Sequence, residues 1–241
     1  MIEPGRLIYV GHLGAAHRHT HAAVQIAVAG TGAVLLTDVA GRRVQTTAAV
    51  IPAGVGHAVD AGTATGLMIY LEPTGTTGRR LTALFDPITR DDARAWLSAA
   101  QAIPKLTEQQ DLSDAADAVI EHLIGPDRAQ PPIQAPHPSV REAIDLLPDL
   151  LCGPVRLTEV ARTVHLSAGR LGRLFARDVG LSFSAYVRWA RLIRAMEVAR
   201  GGGTITEAAH AAGFTDSSHA NRAFHEMFGI APVAARSVRL G

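Results

Sequence analysis

Three histidines stand on alternate positions in HRHTHAAVQ, residues 17 to 25, and a glutamine closes the stretch. Imidazole nitrogens and an amide oxygen can ligate a metal, line a ligand pocket, or serve as tolerated polar groups. On one strand, residues 17, 19, 21, 23 and 25 would point the same way. The spacing therefore predicts a shared face for His19, His21 and Gln25. The local pattern leaves all three readings open. A second group with chemistry lies far downstream. Arg170, Arg173 and Arg177 recur at i, i+3 and i+7 opposite an apolar stripe of Leu171, Leu174 and Phe175. A helix with one packed face and one arginine face suits phosphate neutralisation and bidentate bonds to guanine O6 and N7.

The histidines need strands to carry them. Short apolar or β-branched runs between Gly, Asp and Pro, such as AAVQIAVAG, AVLLTDV and GLMIYLEP, fill residues 7 to 72. Such spacing predicts an antiparallel barrel or sandwich. From 79 to 124 the apolar residues fall three and four apart, as on amphipathic helices. We expect these helices, lying outside a barrel, to be a candidate dimer surface. GPDRAQPPIQAPHP, residues 125–138, holds five prolines in fourteen residues and reads as a linker. The chain beyond it, 139–241, reads as all helix and turn.

Composition fits a globular chain, with 47% hydrophobic and 19% charged residues. No apolar run reaches membrane-spanning length, and the N-terminus lacks the basic flank and apolar core of a signal peptide. A lone cysteine, Cys152, excludes an internal disulfide framework, so the expected compartment is the cytoplasm. The net charge of +1 hides a division: −3 over residues 1–136, +4 over 137–241, and +6 within 156–200. A basic module on a slightly acidic partner suggests a nucleic-acid-facing part carried by something else.

The last hundred residues repeat. LTEVARTVHLSAGRLGRLFARDVGLS starts at Leu157 and ITEAAHAAGFTDSSHANRAFHEMFGIA starts at Ile205. Thr-Glu meets Thr-Glu and Ala161 meets Ala209 at an offset of 48; after one insertion Arg173 meets Arg222, Phe175 meets Phe224 and Gly180 meets Gly229. Each copy reads as a short helix, a tight turn and a longer helix closed by glycine, which is a helix-turn-helix. Thr204 and Glu207 have capping-box spacing. Ser167 and Thr215 stand where the second helices should be capped. SFSAYVRWARLIRAMEVAR, 182 to 200, reads as one long helix holding two recognition helices apart for successive major grooves.

With these motifs in place, residues 139 to 239 resemble the DNA-binding domain of AraC/XylS-type bacterial transcription regulators. LSAGRLGRLFARDVGLSFSAYVRWARLIRA and AAGFTDSSHANRAFHEMFGIAP carry the pattern. The resemblance implies promoter binding as double-stranded DNA, control by an effector, and contacts with a second copy and with RNA polymerase. By position the base-reading sites fall on Gly169, Gly172 and Arg173 in the first motif and on Ser217, Ser218, Asn221 and Arg222 in the second. Arg170 and Arg177 join the first set through the arginine face. Gly169 and Gly172 offer no side chain, Arg156 replaces the usual cap of the first motif, and Ala220 stands where the family usually has phenylalanine.

That resemblance makes a cupin-like sensory barrel the expected fold of residues 1–78. HTHAAVQ resembles the first cupin motif and PAGVGH, 52 to 57, the second, with His19, His21, Gln25 and His57 at the ligand positions. Gln25 stands where glutamate is usual. The set implies an effector pocket, or a site for Zn, Ni, Cu or Fe(II). The expected fold class is α+β: a β-barrel with a helical extension, then an all-α domain of two helix-turn-helix motifs. The expected function is a DNA-binding regulator controlled by a small molecule or metal, and not an enzyme. Two alternatives stand beside it: a metal-dependent cupin enzyme carrying a DNA-binding domain, and a regulator that needs no ligand.

Overall fold

A computed structural model of the 241-residue chain describes residues 2–3, 6–101, 103, 112–125 and 135–228. Most of the proline-rich stretch, and Gly229 with all that follows it, lie outside the described residues. Two compact units separate, one built on residues 1–133 and one on 134–224.

Among the described residues the first unit contains nine strands: β1 (Ile2–Glu3), β2 (Arg6–His12), β3 (Ala15–His19), β4 (Val24–Ala29), β5 (Val34–Thr37), β6 (Arg43–Thr46), β7 (Ala48–Ile51), β8 (His57–Asp60) and β9 (Thr65–Leu71). They form two antiparallel sheets, ordered β1-β2-β9-β4-β7 and β3-β8-β5-β6. The sheets do not close into the barrel expected from sequence. Apart from the β1–β2 and β5–β6 pairs, successive strands lie in different layers, so most pairings join strands distant in sequence and each layer keeps its own edges.

The five-stranded sheet is covered on both faces, which is why β9 reads as a nearly unbroken apolar run. One face presents Ile8, Val24, Ile26, Val28, Val50, Leu67, Ile69 and Leu71 to the helices α1 (Thr76–Thr82) and α3 (Leu112–Ile124). Leu81 of α1 and Ala116, Val119 and Leu123 of α3 complete that core. Arg6 of β2 pairs with Asp117 on the same helix. The apolar stripes of α1 and α3 therefore lie on the sheet. The sheet, and not a second chain, covers these apolar faces. The opposite face of the sheet, including Gln25, Met68 and Tyr70, points toward the four-stranded layer.

Between α1 and α3, α2 (Ala93–Ala99) is held by a buried carboxylate. Asp38, fully buried after β5, accepts from the Ala40 and Arg42 amides at 2.9 Å each and from Arg42 Nε at 2.7 Å. It also receives the Ala93 amide at 3.3 Å, at the first residue of α2. Burial alone would raise its pKa, but these donors more than offset that and hold the carboxyl below its usual range.

The second unit is helical: α4 (Pro138–Asp145), α5 (Leu147–Leu150), α6 (Leu157–Thr163), α7 (Ala168–Val179), α8 (Phe183–Arg200), α9 (Ile205–Ala211) and α10 (Ser217–Phe228). The repeat is visible in the backbone. Leu166 N–H donates to Ala161 carbonyl at 2.8 Å, and Phe214 N–H to Ala209 carbonyl at 2.9 Å, again 48 residues apart. These six-to-one bonds close both turns the same way. The residue that must enter the left-handed region is His165 in the first copy, φ 57°, and Gly213 in the second, φ 73°.

Caps follow the sequence with one correction. Ser167 accepts from the Arg170 amide, and Thr204 with Glu207 makes both halves of the capping box. The cap of α10 is Asp216 and not Thr215: its Oδ1 accepts from His219 N–H at 2.7 Å. Arg156 gives α6 no side-chain cap and instead pairs with Glu159 at 3.2 Å. Phe175 stacks edge-on with Phe183 and Tyr186 at 5.3 and 5.2 Å, joining α7 to the start of α8. Gly180, φ 80°, ends α7.

Candidate metal centre and nucleic-acid interface

The four residues of the first unit meet, but not by the route their spacing suggested. β3 stops at His19, residues 20 to 23 turn away, and β4 starts at Val24 in the other sheet. Period-two alternation does not run across that break. Within β3 the register against β8 also shifts between Ala16 and His19, and His17 stays exposed. His19 arrives by pairing directly with His57 on β8. Gln25 arrives from the opposite layer, and His21 sits in the turn between them. Ring centroids are 5.5 Å for His19–His21, 4.3 Å for His19–His57 and 4.9 Å for His21–His57. One ligand atom from each histidine lies within 4.8 Å of the others.

Each ring is oriented by a main-chain carbonyl on Nδ1. These are His17 at 2.8 Å for His19, Ala23 at 2.9 Å for His21, and Val55 at 2.9 Å for His57. A carbonyl can only accept, so each Nδ1 carries the proton and a neutral ring offers the Nε2 lone pair. Burial favours the neutral ring. Desolvation, with the neighbouring His19, lowers the pKa of His21 to about 4. Desolvation and the two other histidines hold His57 well below its ordinary value. Desolvation also lowers His19, despite its carbonyl partner.

Gln25 Oε1 lies 2.8 Å from His21 Nε2 and 3.1 Å from His57 Nε2. With both rings neutral and protonated on Nδ1, three acceptors converge and none supplies a hydrogen. Two arrangements relieve this. A cation can sit among the lone pairs, or the Gln25 amide can turn so that its NH2 donates to both rings. The chemistry of the donor set fits a divalent transition ion. It fits an organic molecule less well, because His21, Gln25 and His57 are 1%, 2% and 0% exposed and leave only His19 partly open.

The spacing of histidines did not reveal the surroundings. Met68 Sδ and Tyr70 OH lie 3.2 and 3.5 Å from Gln25 Nε2. Trp96 of α2 faces the His57 ring at 6.1 Å. Its indole donates to Arg90 carbonyl at 2.8 Å, and Arg90 reaches back to Ala53 carbonyl at 2.6 Å. Tyr70 and Met68 could have been anticipated from β9 alternation once β9 was known to pair with β4. The position of Trp96 rests on the Asp38 anchor and has no local signal.

In the second unit, α7 and α10 keep their apolar faces inward, with Leu171, Phe175 and Val179 buried on one and Ala220, Ala223 and Phe224 on the other. Arg170, Arg173, Arg177, Ser218, Asn221 and Arg222 are exposed, and Ser217 is half-buried. Arg177 is already engaged, its Nε 2.5 Å from Asp178. Asp178 also accepts the His137 amide at 2.8 Å. Burial would raise this carboxyl, but Arg177 and that amide hold it low. Arg177 therefore offers less free charge than Arg170 or Arg173. On α8, Arg191 is half-buried and donates to Gly153 carbonyl at 2.7 Å, while Arg188 is exposed. Among the described residues no helix is long and apolar enough to cross a membrane.

Comparison with known proteins places this geometry. A family model described as a helix-turn-helix domain matches residues 160–237. The HTH-type transcriptional activator RhaR of Pectobacterium atrosepticum is 36% identical over 87 residues, which is 36% of this chain and 31% of RhaR. The HTH-type transcriptional regulator GbdR of Pseudomonas aeruginosa is 31% identical over 114 residues, 47% of this chain and 29% of GbdR. The chain thus aligns with about three-tenths of the length of these relatives. The crystal structure of ToxT from Vibrio cholerae shares the fold, with a TM-score of 0.58 over 98% of this chain and 100% of that one at 10% identity. ToxT has also been solved with an unsaturated fatty acid bound, at a TM-score of 0.55, 12% identity, and 96% and 95% coverage.

Proposed function

We propose that the chain is a sequence-specific DNA-binding transcription regulator of the AraC type, a reading supported by the match of residues 160–237 to a helix-turn-helix domain. Its first unit takes the controlling ligand. The observation that carries the DNA reading is the backbone repeat at an offset of 48, which presents two capped helices with packed inner faces and polar, arginine-bearing outer ones. Eighteen residues of α8 span about 27 Å at 1.5 Å per residue, a rigid spacer between two readers. The relatives matched are transcriptional regulators, and the enzyme alternative has no comparable support.

The controlling ligand, in this reading, is a divalent transition metal held by His19, His21, His57 and the Gln25 oxygen. What supports it is the convergence of lone pairs in a nearly closed site. A bound ion would supply a fixed positive charge that cross-links β3 and β8 of one sheet to β4 of the other. Trp96 lies against His57, so occupancy would be felt at α2. It can shift the protein between states only by its differential affinity for them. An organic effector is the second reading, favoured by the fatty-acid complex of ToxT; it would require this site to open around His19.

The DNA reading is tested at Arg222. Arg222→Ala is expected to cost about 1–3 kcal/mol of affinity for a specific duplex and little for unrelated DNA, with helicity unchanged. Fluorescence anisotropy with both duplexes measures it. Equal affinities of the variant and wild type for the specific duplex would remove Arg222 from the reading set.

A further inference from the structure

The two recognition helices present unequal surfaces. Around Arg173, the outer face of α7 carries Gly169, Gly172 and Ala176, at i−4, i−1 and i+3. The matching face of α10 carries Ser218, Asn221 and Arg222, each with hydrogen-bonding atoms to offer.

The fold itself does not call for the two glycines. Neither has a positive φ. A Cβ on Gly169 would meet only Arg173 Nη1 at 3.6 Å, and one on Gly172 only Leu157 Cδ2 at 3.5 Å, both ordinary contacts. Glycine is also a poor helix former, so alanine at either position would favour α7. What the missing side chains provide is a close approach from outside.

Gly172 and Ala176 form one wall of a cleft of about 630 Å³ whose other side includes His219 of α10. The same cleft is lined by Ser184, the exposed Arg188, and Arg191. Arg191 Nε is buried there without an acceptor among the described residues. A smooth helix face beside hydroxyls and guanidinium groups fits a sugar-phosphate strand better than it fits base edges.

We propose that the first motif seats the DNA backbone by shape and charge, with Arg173 and Arg188 neutralising phosphate, and that base reading falls to α10. This rests on the DNA-binding reading above. Duplexes selected from a random pool by the full chain would then carry one half-site of strong base preference. A second contacted stretch, about one helical turn away, would carry little. Arg222→Ala would blur the informative half-site. Arg188→Ala would weaken binding to every sequence alike and reduce the salt dependence of log K by about one. The pair Gly169→Ala with Gly172→Ala would raise the thermal midpoint of the chain yet lower its affinity severalfold for all duplexes.

Two equally informative half-sites would overturn the inference and leave DNA recognition standing. So would an alanine pair that binds as tightly as wild type, or one that changes base preference instead of affinity. A pool that shows no enrichment at all would remove the DNA-binding reading, and this inference with it.

Discussion

Under the metal reading, replacing His19 and His57 together by alanine is expected to abolish binding of a divalent transition metal, and the parent chain is expected to bind about one ion per chain. Elemental analysis after dialysis measures this directly. His19 and His57 face each other across paired strands, so their loss leaves His21 and Gln25 alone, too few ligands to retain an ion. Replacing His17 is the control. Its side chain is exposed, and the carbonyl that orients His19 belongs to the main chain. His17→Ala should keep the full complement. Stoichiometric metal in the double variant, with circular dichroism unchanged, would refute the ligand set. A metal-free parent would end the metal reading and leave the DNA domain untouched.

The largest stability effect is expected at Gly213. A Cβ there would lie 2.0 Å from Leu151 carbonyl oxygen and 3.2 Å from two nitrogens of Arg191. The carbonyl is backbone and cannot swing aside. Overpacking costs typically about 1–3 kcal/mol and left-handed backbone roughly 1–2 kcal/mol more. Gly213→Ala should therefore destabilise the second unit by about 2–5 kcal/mol. His165 occupies the equivalent turn position, already left-handed. His165→Gly should gain up to about 1 kcal/mol, the relief of strain being partly offset by glycine's unfolded-state entropy. Calorimetry of the full chain, resolving the unfolding of each unit, measures both. An unchanged transition for Gly213→Ala would contradict the packing of this turn.

The second unit was far more legible than the first, and the reason is locality. A helix-turn-helix is written in contacts three to five residues apart, so its caps, stripes and turns are all local. The offset of 48 even aligns His165 with Gly213, the two residues whose backbone must be left-handed. The cap of α10 slipped by one because Thr215 and Asp216 are both competent, and the helix start decides between them. The β unit is written in long-range pairings. His19 meets His57 across 38 positions and Gln25 meets Tyr70 across 45. Alternation within HRHTHAAVQ grouped His19, His21 and Gln25 as a single strand would, but two strands of different sheets and a turn bring them together. The stripe of α3 was legible, whereas the sheet that covers it was not.

The measurement that bears most directly on the account is the ratio of affinities of the full chain for a selected duplex and for a scrambled one of the same composition. At physiological salt the tandem motif predicts a ratio of about 10³ or more. A ratio near one would show a basic surface that holds DNA without reading it, and would contradict sequence-specific regulation.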